Sequence, residues 1–574
     1  MRAAEVADVL EEIGRLLEFK GENPFKVRAY ANAARALADL GEPLDVVLAE
    51  GRLREIPGIG AAIADKIVAY AETGSIPLLD RLRGEIPAGV LDLLTVPGLG
   101  PKRARAAFGA LGVASLDDLE AAAASGRLAE VPGFGQKTAR TVLASLERVR
   151  AYAGRWLAAE ARPQAERLLT ALREDPDVVR AETAGGLRRA METVHDVDLV
   201  AASPDPPAVL ERFVALSAVA AVTARGDTKV TVRLAGGIHA DLRVVEPGAF
   251  PFALQYFTGS QAHNTRLRGL ARRRGLKLNE YELLRKDGTP VECVDEAAVY
   301  GALGLEWIPP EIREDRGEVE AARKGALPRL VERGDLRGVL HVHTEWSDGR
   351  ATIEAMAEAA RERGFEYLAV CDHSRSAAYA GGLEADRLRE QREEIERVNA
   401  RLEGFVVLAG CEVDILADGR LDYPDDVLAG LDLVVGSLHS RLGLPRVEQT
   451  ERVLRAIENP WLDILGHPAG RVLNRREGAD LDMERVLDAA AAAGVALEIN
   501  GDPHRLDLDW RWHRAAMERG ARLAIDPDAH GPETLDYVDN GIGIARKGWV
   551  TSEAVLNTLP LDEFRETLRR HRGP

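Results

Sequence analysis

His341 and His343 stand one residue apart at the end of the apolar run Gly338-Val339-Leu340, and Asp348 follows five residues after the second histidine. Alternate residues of a β-strand face the same way, so both imidazoles can reach one metal ion. His373, Glu412, His439, His467, Asp528 and His530 repeat the placement, each lying at or just beyond the end of an apolar, strand-like run. Six histidines and three carboxylates exceed the coordination shell of one ion, so two or three ions are implied, and such ions make water a nucleophile near neutral pH. Zinc, manganese and iron all suit this mixed nitrogen and oxygen set. Between several of these runs lie stretches of helical period, such as Thr352 to Arg363 and Glu448 to Asn459. Strand and helix in alternation, with the chemistry at strand C-termini, predict a β/α barrel. His504 and His513 fall outside the pattern and are expected on the rim or surface; Cys371 and Cys411 are expected as small buried barrel residues.

A second constellation is Asp196 and Asp198 in His195-Asp196-Val197-Asp198-Leu199-Val200, with Asp241 in a further strand-like run from His239 to Val245. Three carboxylates on adjacent strands can hold two magnesium or manganese ions against a nucleoside triphosphate. A third feature is repetition. Ile56-Pro57-Gly58-Ile59-Gly60, Val96-Pro97-Gly98-Leu99-Gly100 and Val131-Pro132-Gly133-Phe134-Gly135 each precede a helix rich in small residues. The glycines let the backbone turn tightly, and the N–H groups that open the next helix point at an anion. Such helix-hairpin-helix units hold a DNA backbone without reading its sequence, and Lys102, Arg103, Lys137 and Arg140 would add charge.

These sites need several cores to position them. A chain of 574 residues predicts about four domains. The N-terminal stretch is expected to be helical, with helices from Ala4 to Phe19 and from Phe25 to Leu40. A helix from Trp156 to Arg173 is followed by strand, turn and strand over Val178 to Val200. No apolar leader or membrane-length apolar run is seen, and three cysteines without metal spacing fit a reducing compartment. The net charge of −18 argues against a nucleic-acid partner only in sum, because DNA binding depends on local positive patches and part of the acidic excess is barrel ligands.

The motifs carry resemblances. The nine C-terminal ligands are similar to the ligand pattern of the PHP (polymerase and histidinol phosphatase) domain, which implies a distorted (β/α)7 barrel with up to three metals cleaving phosphoesters. Residues 1 to 152 resemble the lyase and fingers domains of family X DNA polymerases such as polymerase beta. There Lys66 falls at the Schiff-base lysine and Lys26 at a neighbouring basic position, while Ala62 stands where a second lysine is expected. The segment around the aspartates resembles a nucleotidyltransferase palm. That implies that Asp196 and Asp198 bind the nucleotide metal, all three aspartates the catalytic metal, and that Asp241 deprotonates the primer 3′-hydroxyl.

The palm departs from the family in two places. A Gly-Ser pair that binds the triphosphate is here Gly185-Gly186, ahead of Arg189, and losing one hydrogen bond to a charged group costs ~1.5 to 3 kcal/mol, which predicts a slow or manganese-favouring polymerase. His195 stands where the family has a small residue before the first aspartate, and is expected to crowd the site or change its metal preference. Tyr256-Phe257-Thr258-Gly259-Ser260 resembles the stretch that opens the thumb and shapes the nucleotide pocket, with Asn264 at the base-contacting position and Arg268 near the template. Arg272-Arg273-Arg274 is either a DNA-facing patch or a solvated helix face.

The whole chain thus resembles the bacterial family X DNA polymerases with a C-terminal PHP domain. The expected organisation is multidomain: a lyase-like helical domain (1–82), fingers with two hairpins (83–152), an α+β palm (153–247), a thumb (248–316), a linker (317–335) and the barrel (336–574). The resemblance implies a cytoplasmic, nucleoid-associated monomer that fills gapped or nicked DNA from deoxynucleoside triphosphates and trims 3′ ends, with abasic-site cleavage as an added activity and no membrane partner. Two alternatives stand beside it: a nuclease whose palm only binds DNA, and a barrel acting as a small-molecule phosphatase.

Overall fold

The computed structural model describes residues 3–38, 44–56, 58–94, 96, 98–152 and 154–572. Pro57, Pro97 and the end of the predicted Phe25 to Leu40 helix lie outside the described residues. The chain divides into two units, Met1–Ala153 and Gly154–Pro574.

The first unit is helical. In the helix Ala3–Lys20, Val6, Leu10, Ile13, Leu16 and Leu17 recur at helical spacing and are buried against the helix Pro24–Ala38, which proline opens at its first position. The helices after the three hairpins, Ala61–Thr73, Pro101–Leu111 and Gln136–Tyr152, contribute to the same core.

The second unit begins with a five-stranded sheet in the order Arg180–Thr183, Asp196–Ala202, His239–Val245, Lys229–Leu234, Val219–Arg225. Val197, Leu199 and Ala201 face the helices Ala158–Arg173 and Pro206–Val214, whereas Val200 and Ala202 face the helix Phe250–Thr258. By the same alternation Asp196 and Asp198 lie on the Phe250 side. The predicted strand, turn and strand is more elaborate. The one-turn helix Gly185–Arg188 and a short strand, Thr193–Val194, intervene before Asp196. The segment 317–335, read as a linker, is packed instead: the helix Glu318–Lys324 buries Val319 and Ala322 with Leu330 in the thumb core, and buried Glu318 faces His263 Nδ1 at 2.6 Å.

Seven parallel strands then form the barrel in chain order: Gly338–Val342, Tyr367–Val370, Val406–Asp414, Leu433–Ser437, Ile464–Gly466, Ala496–Asn500 and Leu523–Asp526. Strand one meets strand seven through a parallel bridge between Val342 and Ala529, with His343 N donating to Ala529 O at 2.8 Å, so the sheet nearly closes. Leu340, Ala369, Leu408, Val435, Ile464 and Ala524 fill the interior, and Phe564 and Leu568 of the helix Leu561–Arg572 pack onto them. The end opposite to that plug is left for chemistry. Contrary to the expectation of a rim position, His513 is fully buried; its ring hydrogen-bonds Leu508 O at 3.0 Å, and a Cβ on Gly548 would lie 2.2 Å from its Nδ1. Burial drives its pKa down to about 4.

Barrel and palm-thumb region are joined by buried charge. Lys547 Nζ donates to Glu314 Oε1 (2.6 Å), Arg189 O (3.1 Å) and Glu311 O (3.4 Å), and lies 4.7 Å above the ring of Trp510. Arg546 pairs with Glu311 at 2.7 Å and Arg471 with Glu192 at 3.2 Å. Among the described residues no helix is long and apolar enough to cross a membrane.

Candidate functional site

All nine barrel candidates converge at the C-terminal end of the strands. They fall into four overlapping groups, His343-Asp348-His373-His530, His341-Glu412-His467, His341-His343-Asp528 and His373-Glu412-His439, and within each the ligand atoms all lie within 4.8 Å of one another. Glu412 is the hub: His467 Nε2 is 2.9 Å from its Oε1, His439 Nε2 3.2 Å and His341 Nε2 3.4 Å, while His373 Nδ1 is 2.7 Å from Oε2. Asp528 lies 3.2 Å from His343 Nε2, and Asp348 lies 3.4 Å from His530 Nε2 and 3.6 Å from His373 Nε2. Buried polar atoms are ordinarily paired. Here His341 Nε2, both ring nitrogens of His343, His373 Nδ1 and His467 Nδ1 are buried without a well-aligned hydrogen bond, close as several lie to a carboxylate. Such imidazole nitrogens facing ionised carboxylates fit a set of divalent cations.

The electrostatics agree with that fit. Burial works to raise the Glu412 carboxyl, but His439, His373 and His341 outweigh it and hold it well below the usual range. Asp528 is likewise held down against burial, chiefly by His341 and His343. His343 is pushed down to about 3 by burial and by the imidazole of His373, so it stays neutral, the form that binds metal. His373 and His439 are lowered by burial but raised overall, to about 10 and about 9, because each faces Glu412.

Local backbone and a supporting layer hold this arrangement. His341, His467 and Asp528 have φ of +54°, +24° and +52°, a region that costs non-glycine residues on the order of 1–3 kcal/mol each and that clusters at functional sites. Glu498 accepts from the backbone N–H of His467 and pairs with His341 Nδ1, leaving Nε2 for the cluster. Asp414 pairs with His439 Nδ1 at 2.6 Å, and Asn500 Nδ2 donates to both Glu498 and Asp528 at 3.1 Å. Sequence reasoning missed these residues, though two signals existed: Asp414 follows Glu412 at strand spacing, and Glu498 sits in the one barrel strand without a predicted ligand.

In the palm, Asp198 and Asp241 are direct neighbours in the parallel pairing, and Asp196 lies opposite His239. Asp198 is raised to about 7 by burial and then by Asp196 and Asp241. The three are not among the groups whose ligand atoms all lie within 4.8 Å, and Asp241 forms an ion pair with Lys229. Gly185 has φ +55°, and a Cβ there would lie 1.8 Å from Asp198 Oδ2, so only glycine lets the turn pass over that carboxylate. A Cβ on Gly186 would meet Val194 Cγ1 at 2.9 Å, which explains the absent serine sterically. His195 does not crowd the site as expected: its Nδ1 lies 3.2 Å from Gly154 O, and it acts on Asp196 only as a charge opposing the burial and the Asp241 charge that raise that carboxyl.

Around this strand pair, Arg189 Nε donates to Glu314 Oε1 at 3.0 Å and its Nη1 to Thr258 O. Tyr256 and Phe257 pack edge to face at 5.2 Å, and Arg243 lies 4.6 Å over the Phe257 ring. Asn264 is held by Gln255 Nε2 (2.8 Å) and donates to Tyr256 O (2.7 Å). Ser260 follows Gly259 and caps the helix Gln261–Arg273, accepting from His263 N at 3.3 Å, and Arg268 lies 6.0 Å over the Tyr256 ring.

The hairpin glycines Gly58, Gly98 and Gly133 have φ of +95°, +86° and +91°, and nothing lies within 4 Å of a Cβ built on Gly60, Gly98, Gly100, Gly133 or Gly135. The N-termini after them are therefore open to an incoming phosphate. Lys102 and Lys137 are exposed beside them, while Arg103 ties the second and third hairpins by donating to Gly98 O (2.9 Å) and Gly133 O (3.2 Å). Lys66 Nζ donates to Ala62 O on its own helix at 2.7 Å.

Comparison with known proteins agrees with this division. The chain matches the helix-hairpin-helix domain (residues 1–76), a SAM-like helix-hairpin-helix tandem (90–148), the DNA polymerase beta thumb (253–314) and the PHP domain (340–502). It is 37% identical over 575 aligned residues, covering all of both chains, to a Bacillus subtilis (strain 168) protein named DNA polymerase/3′-5′ exonuclease PolX. A protein of Caldanaerobacter subterraneus subsp. tengcongensis named a probable phosphatase is 29% identical over 41% of this chain and 93% of its own. A probable phosphatase of Thermoanaerobacter sp. (strain X514) is 29% identical over 38% of this chain and 89% of its own. With hairpins, palm, thumb and metal-ligand barrel present in one chain and matched end to end, the chain belongs to the family X DNA polymerases that carry a C-terminal PHP domain.

Proposed function

We propose that the chain is a DNA-repair enzyme with two active sites, a DNA-directed DNA polymerase in the palm and a metal-dependent 3′-5′ exonuclease in the barrel. The observation that carries the reading is the end-to-end likeness to a protein named for both activities, together with two separate carboxylate constellations in this chain. Magnesium or manganese is the proposed palm cofactor, and two or three zinc, manganese or iron ions are proposed for the barrel. When bound, these ions stabilise charge on the attacking and leaving oxygens of a phosphoryl transfer.

In the palm, Asp196, Asp198 and Asp241 are the proposed metal ligands, and Asp241 takes the proton of the primer 3′-hydroxyl. Gly185, Gly186 and Arg189 are proposed to face the triphosphate, and Tyr256, Phe257, Gly259, Ser260, Asn264 and Arg268 the nucleotide and template. The hairpins grip the DNA backbone on either side of a short gap or nick through Gly58, Gly60, Gly98, Gly100, Lys102, Gly133, Gly135 and Lys137. In the barrel, His341, His343, Asp348, His373, Glu412, His439, His467, Asp528 and His530 are the proposed ligands; the barrel removes 3′ nucleotides and blocked ends, and cleaves abasic sites. Lys66 is the proposed lyase nucleophile. The protein is proposed to act as a cytoplasmic, nucleoid-associated monomer.

A second reading, a nuclease with a silent palm, is favoured by the Val194 methyl against Gly186 and by Lys229 on Asp241. A labelled primer on a short-gapped duplex with manganese, with and without the four nucleotides, tests both. The expected outcome is extension with nucleotides and shortening without them. Shortening under both conditions would establish the second reading. Release of phosphate from a soluble phosphomonoester with no change to the primer would establish the phosphatase alternative.

A further inference from the structure

The mouth of the barrel cluster carries a side chain that metal binding leaves unexplained. Tyr379 is 75% exposed, yet its ring centroid lies only 6.3 Å from that of His373 and 6.5 Å from that of His439. Its loop is fastened at both ends. Ala377 N donates to Ser374 O at 3.0 Å, Gly382 N to Ala377 O at 3.1 Å, and Leu383 N to the carbonyl of His373 itself at 2.8 Å; Tyr423 OH donates to Leu383 O. The loop also lies so close to the cluster that a Cβ on Gly382 would sit 2.0 Å from Ser374 O, and one on Gly381 3.2 Å from Ser347 O. An aromatic face held open by a rigid loop loses little entropy when something lies against it.

The same rim carries a cation. Arg505 Nε is 3.6 Å from Asp528 Oδ2. A guanidinium beside a metal-ligand cluster suits a phosphate. A bare phosphomonoester would have no use for the aromatic face. A phosphodiester with a flat ring one sugar away would use both.

We propose that Tyr379 and Arg505 form the subsite for the 3′-terminal nucleotide of a DNA strand, with the base stacked on the Tyr379 ring and the phosphate between the guanidinium and the cluster. The inference rests on the nuclease reading of the barrel. It gives the terminal base a place, since the base must leave its partner to lie on the ring.

The test uses the full chain with manganese on single-stranded oligonucleotides ending in deoxyadenosine or in a base-free tetrahydrofuran residue. Wild type is expected to remove the base-bearing end with a kcat/KM about ten-fold higher, since base-aromatic stacking is worth ~1–3 kcal/mol. Tyr379→Ala is expected to bring that ratio close to one, mainly through KM, and Tyr379→Phe and Tyr379→Trp to keep it. Equal loss on both substrates in Tyr379→Ala would mark a structural role and overturn the proposal, as would an unchanged ratio. Equal rates on the two ends in wild type would overturn the subsite and leave the nuclease standing. Cleavage of neither end by wild type, with turnover of a soluble phosphomonoester, would overturn both.

Discussion

The barrel cluster and the palm triad both use strand-borne carboxylates, yet they stand at different stages of assembly. In the barrel, nine candidate ligands already gather in four overlapping groups, most of them buried, and are braced by Glu498 and Asp414. In the palm, three aspartates share one sheet face but do not close to the same spacing, and a lysine neutralises one of them. A site that hydrolyses with water has to be complete before its substrate arrives. A site that joins a nucleotide can leave part of its coordination to the triphosphate and the primer.

The largest effects test whether the two sites are separate. His341→Ala or Asp528→Ala is expected to abolish 3′ shortening and spare extension, and Asp196→Ala with Asp198→Ala to do the reverse, read on the same gapped primer. Loss of both activities in either protein would end the two-site account. Next, Glu498→Gln should lower the metal content or nuclease rate by roughly 10- to 100-fold, the usual cost of losing a carboxylate that orients a ligand imidazole, with extension unchanged.

A smaller effect separates the sites by pH. The Asp198 carboxyl is raised to about 7 in the metal-free fold, above its unfolded value, so the fold is favoured while Asp198 is protonated and loses that advantage as pH rises through about 7. Asp198→Asn should therefore stabilise the metal-stripped protein, by up to ~4 kcal/mol at pH 8 and by little at pH 4, in denaturant titrations. Excess manganese should erase or reverse the gain, because only wild type gains full stabilisation from the ion. The smallest change concerns the missing serine. Gly186→Ser with Val194→Ala, which clears the 2.9 Å contact, should lower the KM for nucleotides by roughly ten-fold, the worth of one hydrogen bond to a charged group. Gly186→Ser alone should do less.

The gathering of the nine barrel candidates was legible because each sits at or just past a strand end, so local periodicity places it. The shared face of the three palm aspartates was legible for the same reason, and the hairpins because they repeat. What escaped depended on residues far apart in the chain. The burial of His513 is set by Gly548, the gap at Gly186 is filled by Val194, and the charged 317–335 segment packs because Glu318 finds His263. The positive φ values at His341, His467 and Asp528 carry no sequence signal, since nothing in a histidine or aspartate announces a strained backbone. His195 was misjudged because strand alternation, which places Asp196 and Asp198 together, also turns their odd neighbour away.

Lys547 bears on the barrel's separability as much as on stability. The Caldanaerobacter relative matches 41% of this chain over 93% of its own length, so a part of this chain corresponds to nearly the whole of another protein. Yet this lysine is buried against Glu314, Glu311 and the carbonyl of Arg189, none of which belongs to the barrel, and removing the partner of a buried charge typically costs about 3–5 kcal/mol. With that residue in place, a cut at 317–335 would leave a buried charge without its partners. An exchange of the barrel alone would have to carry the lysine, the thumb glutamates and the palm turn together to keep these contacts.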